Sequence, residues 1–204
     1  MENYLIILVI IILFIFESDI RNLIKCIQKD RINKKRTKIG IDLEICNSII
    51  NEVGDILNKY HIPFMLAEGT ALGVHRDGSL IKCDSDIDLS YPSTHYDVFL
   101  KKVKPELELR GYQVGIGRGT NYFNNRYNFA IKNDHYIDFD IIEENKNCFA
   151  KWGRSCNELI PHLKNPRKIN WNNRIWKIPG ESYYEYLYGQ DWKIPQCGKK
   201  PPKK

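Results

Sequence analysis

Two aspartates one residue apart, Asp86 and Asp88, have the spacing in this chain that most directly suggests chemistry. On a β-strand, side chains at i and i+2 point to the same face, so the two carboxylates stand side by side and repel each other. A divalent cation with oxygen ligands relieves that repulsion. Gly69, Thr70 and Arg76 precede the pair and can contact phosphate through a backbone turn, a hydroxyl and a cation. The combination predicts metal-dependent transfer on a nucleotide diphosphate.

A second pair, Asp138 and Asp140, alternates with apolar residues in the segment 137–141. On a strand, the apolar set faces the core and both carboxylates face the other side. If this strand lies beside the segment 86–89, a third carboxylate joins the first pair, and the group can hold one or two Mg²⁺ ions against a diphosphate. An isolated D-x-D is usually a solvated strand face, but two such motifs, one of them after a Gly-Thr pair, favour a functional site.

The segments around these motifs predict the elements that must position them. Apolar residues at helical spacing predict a helix from Ile45 to about Tyr60, which Pro63 ends. Asn133-Asp134 predicts a hairpin turn. We further expect strands at 64–67, 86–90, 112–117, 126–132 and 135–142, and irregular structure at 143–170. Helices are expected at 71–76, which Thr70 can cap, and at 96–109, where Pro105 is a possible break. This order, α-β-α-β-α-β-β-β, predicts an α+β domain with a mixed sheet and helices packed on it.

Three blocks of the chain resemble one protein family, in the order in which the family has them. G-T-x-L-G-x-x-R at 69–76, followed by D-I-D at 86–88, is similar to the LicD/fukutin signature. Y-I-D-F at 136–139 is similar to the family's I-D-I-F strand, and residues 179–195 resemble its closing Y-L-x-x-Y-G-x-D-W-x-x-P. The family includes bacterial phosphocholine transferases, fukutin and fukutin-related protein. The resemblance covers most of residues 42–195.

The resemblance implies a nucleotidyltransferase-like fold and the transfer of a phospho-alcohol, such as phosphocholine or ribitol phosphate. The donor would be CDP-activated, the acceptor a sugar hydroxyl of a glycan, and the metal Mg²⁺ or Mn²⁺. Asp86 and Asp88 are then metal ligands and catalytic residues. Asp138 completes the site, either as a ligand or as the base that accepts the proton of the acceptor hydroxyl. The predicted substrate-binding residues are Gly69, Thr70, Arg76, Asp84 and Asp140, and Arg76 is expected to neutralise the charge that develops on the leaving CMP.

The segment 83–88 departs from the family's W-D-D-D-I-D, because Cys83 replaces the aromatic residue and Ser85 the middle acid. Gly78 also stands one position earlier than in the family. Donor selectivity and the path of the loop therefore stay open. One alternative is a catalytically inactive, membrane-tethered glycan-binding or scaffold protein of the same fold. Another is a nucleotidyltransferase that uses ATP, as in antibiotic adenylylation.

The chain has 204 residues and a net charge of +6. Much of the excess lies in the segments 21–38 and 199–204, which are not interleaved with aromatic residues, so nucleic-acid binding is not predicted. We expect the chain to divide into a hydrophobic anchor, a basic linker, a LicD-like catalytic domain and a basic disordered tail. These parts correspond to residues 1–20, 21–40, 41–196 and 197–204.

The apolar run at 4–16 spans about 20 Å, short of the roughly 30 Å hydrocarbon core of a bilayer. No basic residues precede it and no small-residue cleavage site follows it, so we expect an uncleaved membrane anchor with a single span rather than a signal peptide. The basic cluster after the run predicts a cytosolic domain by the positive-inside rule. Fukutin-like relatives are instead lumenal, while the bacterial ones are cytosolic. The prediction leans slightly to the lumen of an ER- or Golgi-type membrane.

The six cysteines are scattered and do not form a C-x-x-C pair or a regular disulfide framework. Cys148 and Cys156, with His162 nearby, could belong to a zinc loop, although unrelated thiols are the simpler interpretation. The run G-I-G-R-G at 115–119 suggests turn geometry rather than a phosphate loop, because no helical pattern follows it. His75 is expected on the surface.

Overall fold

The computed structural model describes residues 40–118, 126–142, 149–150, 154–155, 161–162 and 165–197. The predicted anchor, the predicted linker except Gly40, Cys148, Cys156 and all of the predicted tail except Cys197 lie outside these residues. Within the described part of the chain, no helix is both long and apolar enough to cross a membrane.

The described part of the chain contains nine strands and four longer helical segments, besides two helical residues at 161–162. The helical segments are α1 (Leu43–Lys59), α2 (Glu68–Asp77), α3 (Ser93–Leu109, built from 3₁₀, α, π and α turns in succession) and α4 (Glu181–Tyr188). The strands are β1 (Met65–Leu66), β2 (Asp86–Pro92), β3 (Gln113–Arg118), β4 (Arg126–Lys132), β5 (His135–Ile142), β6 (Phe149–Ala150), β7 (Arg154–Ser155), β8 (Arg167–Trp171) and β9 (Arg174–Ile178).

The main sheet has five strands in the order β1-β2-β5-β4-β3. β2 pairs in parallel with β5, whereas its pairing with β1 and the pairings β5–β4 and β4–β3 are antiparallel. The sheet is therefore mixed, and the predicted α+β class and element order are confirmed. Asn133 and Asp134 both have positive φ, as a two-residue hairpin turn requires, and they join β4 to β5 as predicted.

The apolar face of β2 and β5 forms the core together with α1 and α3. Ile137 and Phe139 are fully buried, and Phe99 of α3 stacks on Tyr91 and packs edge-on against Phe139. The apolar stripe of α1, which includes Ile50, belongs to the same cluster. α1 begins where the Asp42 carboxylate accepts a hydrogen bond from the Ile45 amide at 3.0 Å, and it ends at Lys59 as predicted.

Two predictions about the ends of helices are wrong. α2 begins at Glu68 after Ala67, so Gly69 and Thr70 lie inside its first turn, and Thr70 does not cap it. Pro105 does not break α3, because it occupies the first turn of the segment after the π turn, where a missing N–H is tolerated. Gly78, with φ of 65°, ends α2 in the left-handed conformation.

Two predictions about strands also need correction. The G-I-G-R-G run begins inside β3 rather than in a turn, and Gly115 is needed there because the ring tip of Phe129 occupies the place of its missing side chain. The segment expected to be irregular contains β8, which pairs with β9 to form a hairpin. Asn172 and Asn173 both have positive φ and form its turn. A pair of Asn or Asp residues, which predicted the first hairpin, thus also forms the turn of a second one.

Candidate active site

Three carboxylates gather where the chain enters β2. Asp84 lies in the loop between α2 and β2, while Asp86 and Asp88 occupy the first and third positions of the strand. One carboxylate oxygen of each lies within 4.8 Å of the others. No other cluster of three such potential ligands occurs among the residues described. An all-oxygen set of this kind suits a hard divalent cation such as Mg²⁺ or Mn²⁺.

The parallel pairing of β2 with β5 brings the second aspartate pair to the same face of the sheet. Asp138 lies opposite Asp88, and Asp140 lies opposite Ser90, one pleat further along. Asp88 and Asp138 are only 4% and 5% exposed. Asp138 is not one of the three clustered residues, but it stands beside the innermost of them. Burying adjacent carboxylates away from water is costly, which is typical of a site that holds a cation or a shared proton.

The start of α2 fixes the backbone of Asp88 from both sides. The Asp88 amide donates to Thr70 Oγ1 at 2.9 Å, and the Ala67 amide donates to the Asp88 carbonyl at 3.0 Å. Thr70 is 2% exposed. In this structure its hydroxyl therefore positions the strand that carries the carboxylates. Its predicted contact with phosphate stays a prediction.

Gly69 provides the space that the Asp84 side chain occupies. A Cβ atom at Gly69 would lie 2.1 Å from Asp84 Oδ2 and 3.2 Å from its Cγ. Asp84 Oδ1 also accepts a hydrogen bond from the Ser85 amide at 2.8 Å. The glycine thus allows the loop carboxylate to approach the first turn of α2. The sequence placed Asp84 among the substrate-binding residues, and the alternation of acids at 84, 86 and 88 was the signal that could have added it to the cluster.

Arg76, predicted to neutralise charge on the leaving nucleotide, is held by the protein. Its guanidinium forms two hydrogen bonds with the Asp77 carboxylate, at 2.8 and 2.7 Å, and donates to the Trp192 carbonyl at 3.1 Å. Its side chain is 11% exposed. These contacts join the end of α2 to the segment after α4. The predicted role toward the leaving group remains untested.

Aromatic residues of α4 and the following turn pack against α2. His75 stacks on Tyr184 and on Trp192, which also pack against each other, so it is not the surface residue expected, and burial lowers its pKa. The Tyr183 hydroxyl accepts a hydrogen bond from the Glu68 amide at 3.4 Å. Burial, followed by the negative charge of Glu68, raises the Tyr183 pKa. The sequence matched this segment only to the closing block of the family and did not indicate that Tyr183 reaches the first residue of α2.

A disulfide joins Cys83, immediately before the carboxylate cluster, to Cys197. The sequence did not predict this pair. His162, considered for a zinc loop, has its Nδ1 within 2.9 Å of Ser182 Oγ and stacks on Tyr186.

The fold and the site together define a class of protein. It is an α+β domain with a mixed five-stranded sheet, and one face of that sheet carries clustered carboxylates beside a helix whose first turn contains a Gly-Thr pair. Residues 61–154 match the family model described as LicD/FKTN/FKRP, nucleotidyltransferase domain. This match, together with the similarity to fukutin, confirms the resemblance of the chain to the LicD/fukutin family.

Among its relatives, ribitol-5-phosphate transferase FKTN of Homo sapiens is 28% identical over 154 residues, which cover 68% of this chain and 31% of that protein. The Mus musculus protein matches to the same extent. The uncharacterized protein RP689 of Rickettsia prowazekii (strain Madrid E) is 28% identical over 102 residues, covering 50% of this chain and 34% of that protein. The chain thus spans about a third of the length of these relatives.

Two solved structures of the antibiotic-resistance factor ANT(2'')-Ia are similar in fold. The crystal structure in complex with adenylyl-2''-tobramycin has a TM-score of 0.42 at 13% identity, covering 65% of this chain and 68% of that chain. The solution structure has a TM-score of 0.45 at 14% identity, covering 74% of each chain.

Proposed function

We propose that this protein is a divalent-metal-dependent transferase that moves a phospho-alcohol from a CDP-activated donor to a sugar hydroxyl of a glycan. The observation that carries the proposal is the cluster formed by the carboxylates of Asp84, Asp86 and Asp88. Similarity to a ribitol-5-phosphate transferase supports the phospho-alcohol. The CDP donor and the glycan acceptor rest on the resemblance of the motifs alone.

The three clustered carboxylates would hold Mg²⁺ or Mn²⁺, and the bound ion would supply positive charge to the donor diphosphate. Asp86 and Asp88 lie on a strand paired along its length with β5, so their carboxylates are held in place before the donor binds. Asp84 comes from the loop and fits against Gly69. Such preorganised charge is worth several kcal/mol of transition-state stabilisation.

Asp138 is the residue best placed to accept a proton. It stands beside Asp88 on the neighbouring strand and is almost fully buried. As the acceptor oxygen forms a bond to the phosphorus of the phospho-alcohol, the bond from that phosphorus to the oxygen of the leaving CMP breaks. The proton of the acceptor hydroxyl passes to the Asp138 carboxylate. In the alternative arrangement Asp138 is a further ligand of the metal.

A donor screen tests this proposal. The full chain is incubated with CDP-choline, CDP-ribitol, CDP-glycerol or ATP, each with Mg²⁺, with Mn²⁺ and with EDTA, and release of CMP or pyrophosphate is measured. We expect CMP release from one CDP-alcohol, dependent on metal. Pyrophosphate release from ATP would instead identify a nucleotidyltransferase and overturn the proposal.

A binding experiment addresses the inactive alternative. If the site binds a cytidine nucleotide with metal, a hundredfold excess over the dissociation constant contributes about 2.7 kcal/mol to the free energy of unfolding. We expect the melting temperature to rise with CDP and Mg²⁺ together. No shift with any cytidine nucleotide, with or without metal, would favour a scaffold protein that retains only the fold.

The compartment is part of the same proposal: a domain on the lumenal side of an ER- or Golgi-type membrane, attached through the predicted anchor at 1–20. The disulfide between Cys83 and Cys197 supports the lumenal side, because disulfides persist in oxidising compartments and are reduced in the cytosol. The test is carbonate extraction followed by protease protection of a C-terminal tag. Extraction into the soluble fraction would contradict the anchor, and digestion of the tag in sealed microsomes would place the domain in the cytosol.

A further inference from the structure

The loop between α2 and β2 carries the one clustered carboxylate that does not lie on a strand. Asp86 and Asp88 are held by the ladder between β2 and β5, whereas Asp84 precedes that ladder. Its amide donates to the Ile81 carbonyl at 2.9 Å, and its side chain occupies the space left by Gly69. The position of Asp84 therefore depends on what fixes this loop.

The disulfide fixes the loop at the residue before Asp84. Cys83 is bonded to Cys197, 114 positions further along the chain. Because Asp84 is the next residue, the bond limits how far its backbone can move away from the cluster. Both cysteines are exposed, so a small reductant in solution can reach the bond.

The segment that leads to Cys197 is itself anchored. The Trp192 ring stacks on His75 and packs against Tyr184, and its carbonyl accepts a hydrogen bond from Arg76. The Tyr184 hydroxyl donates to the Ala71 carbonyl of α2 at 3.3 Å. The bond thus ties the loop to a segment held by the packed pair α2 and α4.

We propose that the Cys83–Cys197 disulfide positions Asp84, so that the affinity of the carboxylate cluster for a divalent cation depends on the redox state of this bond. The inference rests on the proposed metal site. With a phosphine as reductant, the S–S bond breaks, two thiols form with protons from water, and the phosphine takes up the water oxygen to become a phosphine oxide. The reduced loop loses its covalent tie to the segment at Cys197, and Asp84 is displaced from the cluster for part of the time.

Titration of Mn²⁺ alone into the full chain tests the proposal. The oxidised protein is compared with protein reduced by tris(2-carboxyethyl)phosphine and freed of reductant under nitrogen. We expect about tenfold weaker Mn²⁺ binding after reduction. The double variant Cys83→Ser/Cys197→Ser should bind like the reduced protein and should not respond to phosphine, which controls for the other cysteines. Near-UV circular dichroism verifies that each sample is folded.

A variant of the loop carboxylate separates positioning from general stabilisation. The Asp84→Asn variant should bind Mn²⁺ weakly. Reduction should lower the Mn²⁺ affinity of this variant by less than a further twofold, because the disulfide acts through Asp84. Equal Mn²⁺ affinity of the oxidised and reduced wild-type protein would overturn the inference and leave the metal site intact. So would a tenfold effect of reduction that persists in Asp84→Asn. No Mn²⁺ binding by the oxidised protein would overturn the proposed metal site itself.

Discussion

The two faces of strands β2 and β5 carry opposite kinds of side chain, apolar on one face and carboxylate on the other. Along β2, Asp86 and Asp88 alternate with Ile87 and Leu89, and the apolar pair is almost completely buried in the core. The carboxylate face is also buried at Asp88, where a hydrogen-bonded threonine holds its backbone. Because side chains alternate along a strand, one segment of chain supplies both the stability of the fold and the charge of the site. A substitution should therefore change one property or the other according to its position.

The largest effect should follow from Asp88→Asn. The change keeps the shape of the side chain and removes the charge next to Asp138, so transfer should fall by about a thousandfold, equivalent to roughly 4 kcal/mol of transition-state stabilisation. The melting temperature without metal should be unchanged or higher, because repulsion between neighbouring carboxylates is relieved. Initial rates with the donor identified in the screen measure the loss of transfer, and thermal unfolding measures the melting temperature. Turnover within tenfold of wild type would remove Asp88 from the site.

The adjacent substitution, Leu89→Ala, should have the opposite profile. It leaves a cavity in the core and should lower the free energy of unfolding by about 2–5 kcal/mol. Urea unfolding measures this loss. In the fraction that stays folded, Mn²⁺ should bind within about twofold of wild type. If Leu89→Ala weakens Mn²⁺ binding as much as Asp88→Asn does, the two faces are not separable.

Gly69→Ala should affect the carboxylate face alone, with a smaller magnitude. The new methyl group would displace Asp84, whose Oδ2 lies 2.1 Å from the Cβ position. We expect roughly tenfold weaker Mn²⁺ binding, or about 1.4 kcal/mol. Gly180→Ala is a matched control, because a Cβ there meets no atom within 4 Å and the φ of −68° suits alanine. Equal effects of the two substitutions on Mn²⁺ binding would show that the space at Gly69 is not needed to accommodate the Asp84 carboxylate.

The smallest effect concerns Glu106, which lies on neither face. Hydrogen bonds from Lys59, Tyr60 and Arg110 lower its pKa to about 2. A lowered pKa contributes stability that is present above the ordinary value of 4.5 and is lost as the pH falls through about 2. Glu106→Gln should therefore be less stable than wild type at pH 6, and the difference should shrink toward pH 2. Urea unfolding across this range checks the sign, and a constant difference would contradict it.

The sequence predicted the fold best where a local signal has one physical meaning. Apolar spacing defined α1, and Asn133-Asp134 defined a hairpin, because each pattern fits one backbone geometry. Gly115 was misread, because its reason lies on the neighbouring strand, in the ring of Phe129. The disulfide to Cys197 could not be predicted, because its two ends are far apart in the sequence and only the fold brings them together.

The candidate site was predictable where the alternation of side chains along a strand determines which residues share a face. The side-by-side carboxylates of β2 follow from their spacing, and the proximity of Asp138 depended on a strand neighbour that the sequence only suggested. The contacts of Thr70 and Arg76 could not be predicted. Their side chains bond to the Asp88 amide and to the Trp192 carbonyl, and such backbone partners leave no trace in a motif.

The parallel pairing of β2 with β5 has a consequence for folding kinetics. β4 and β5 are joined by a two-residue turn, so their pairing closes a short loop, whereas α3, β3 and β4 lie between β2 and β5 in the chain. Closing the longer loop costs more entropy, so the hairpin should lead in the transition state and β2 should join late. Destabilising substitutions in the hairpin should then slow folding, while those in β2 should mainly speed unfolding. The two aspartate pairs would meet only after most of the core has closed, so their mutual repulsion would act mainly on the lifetime of the folded protein.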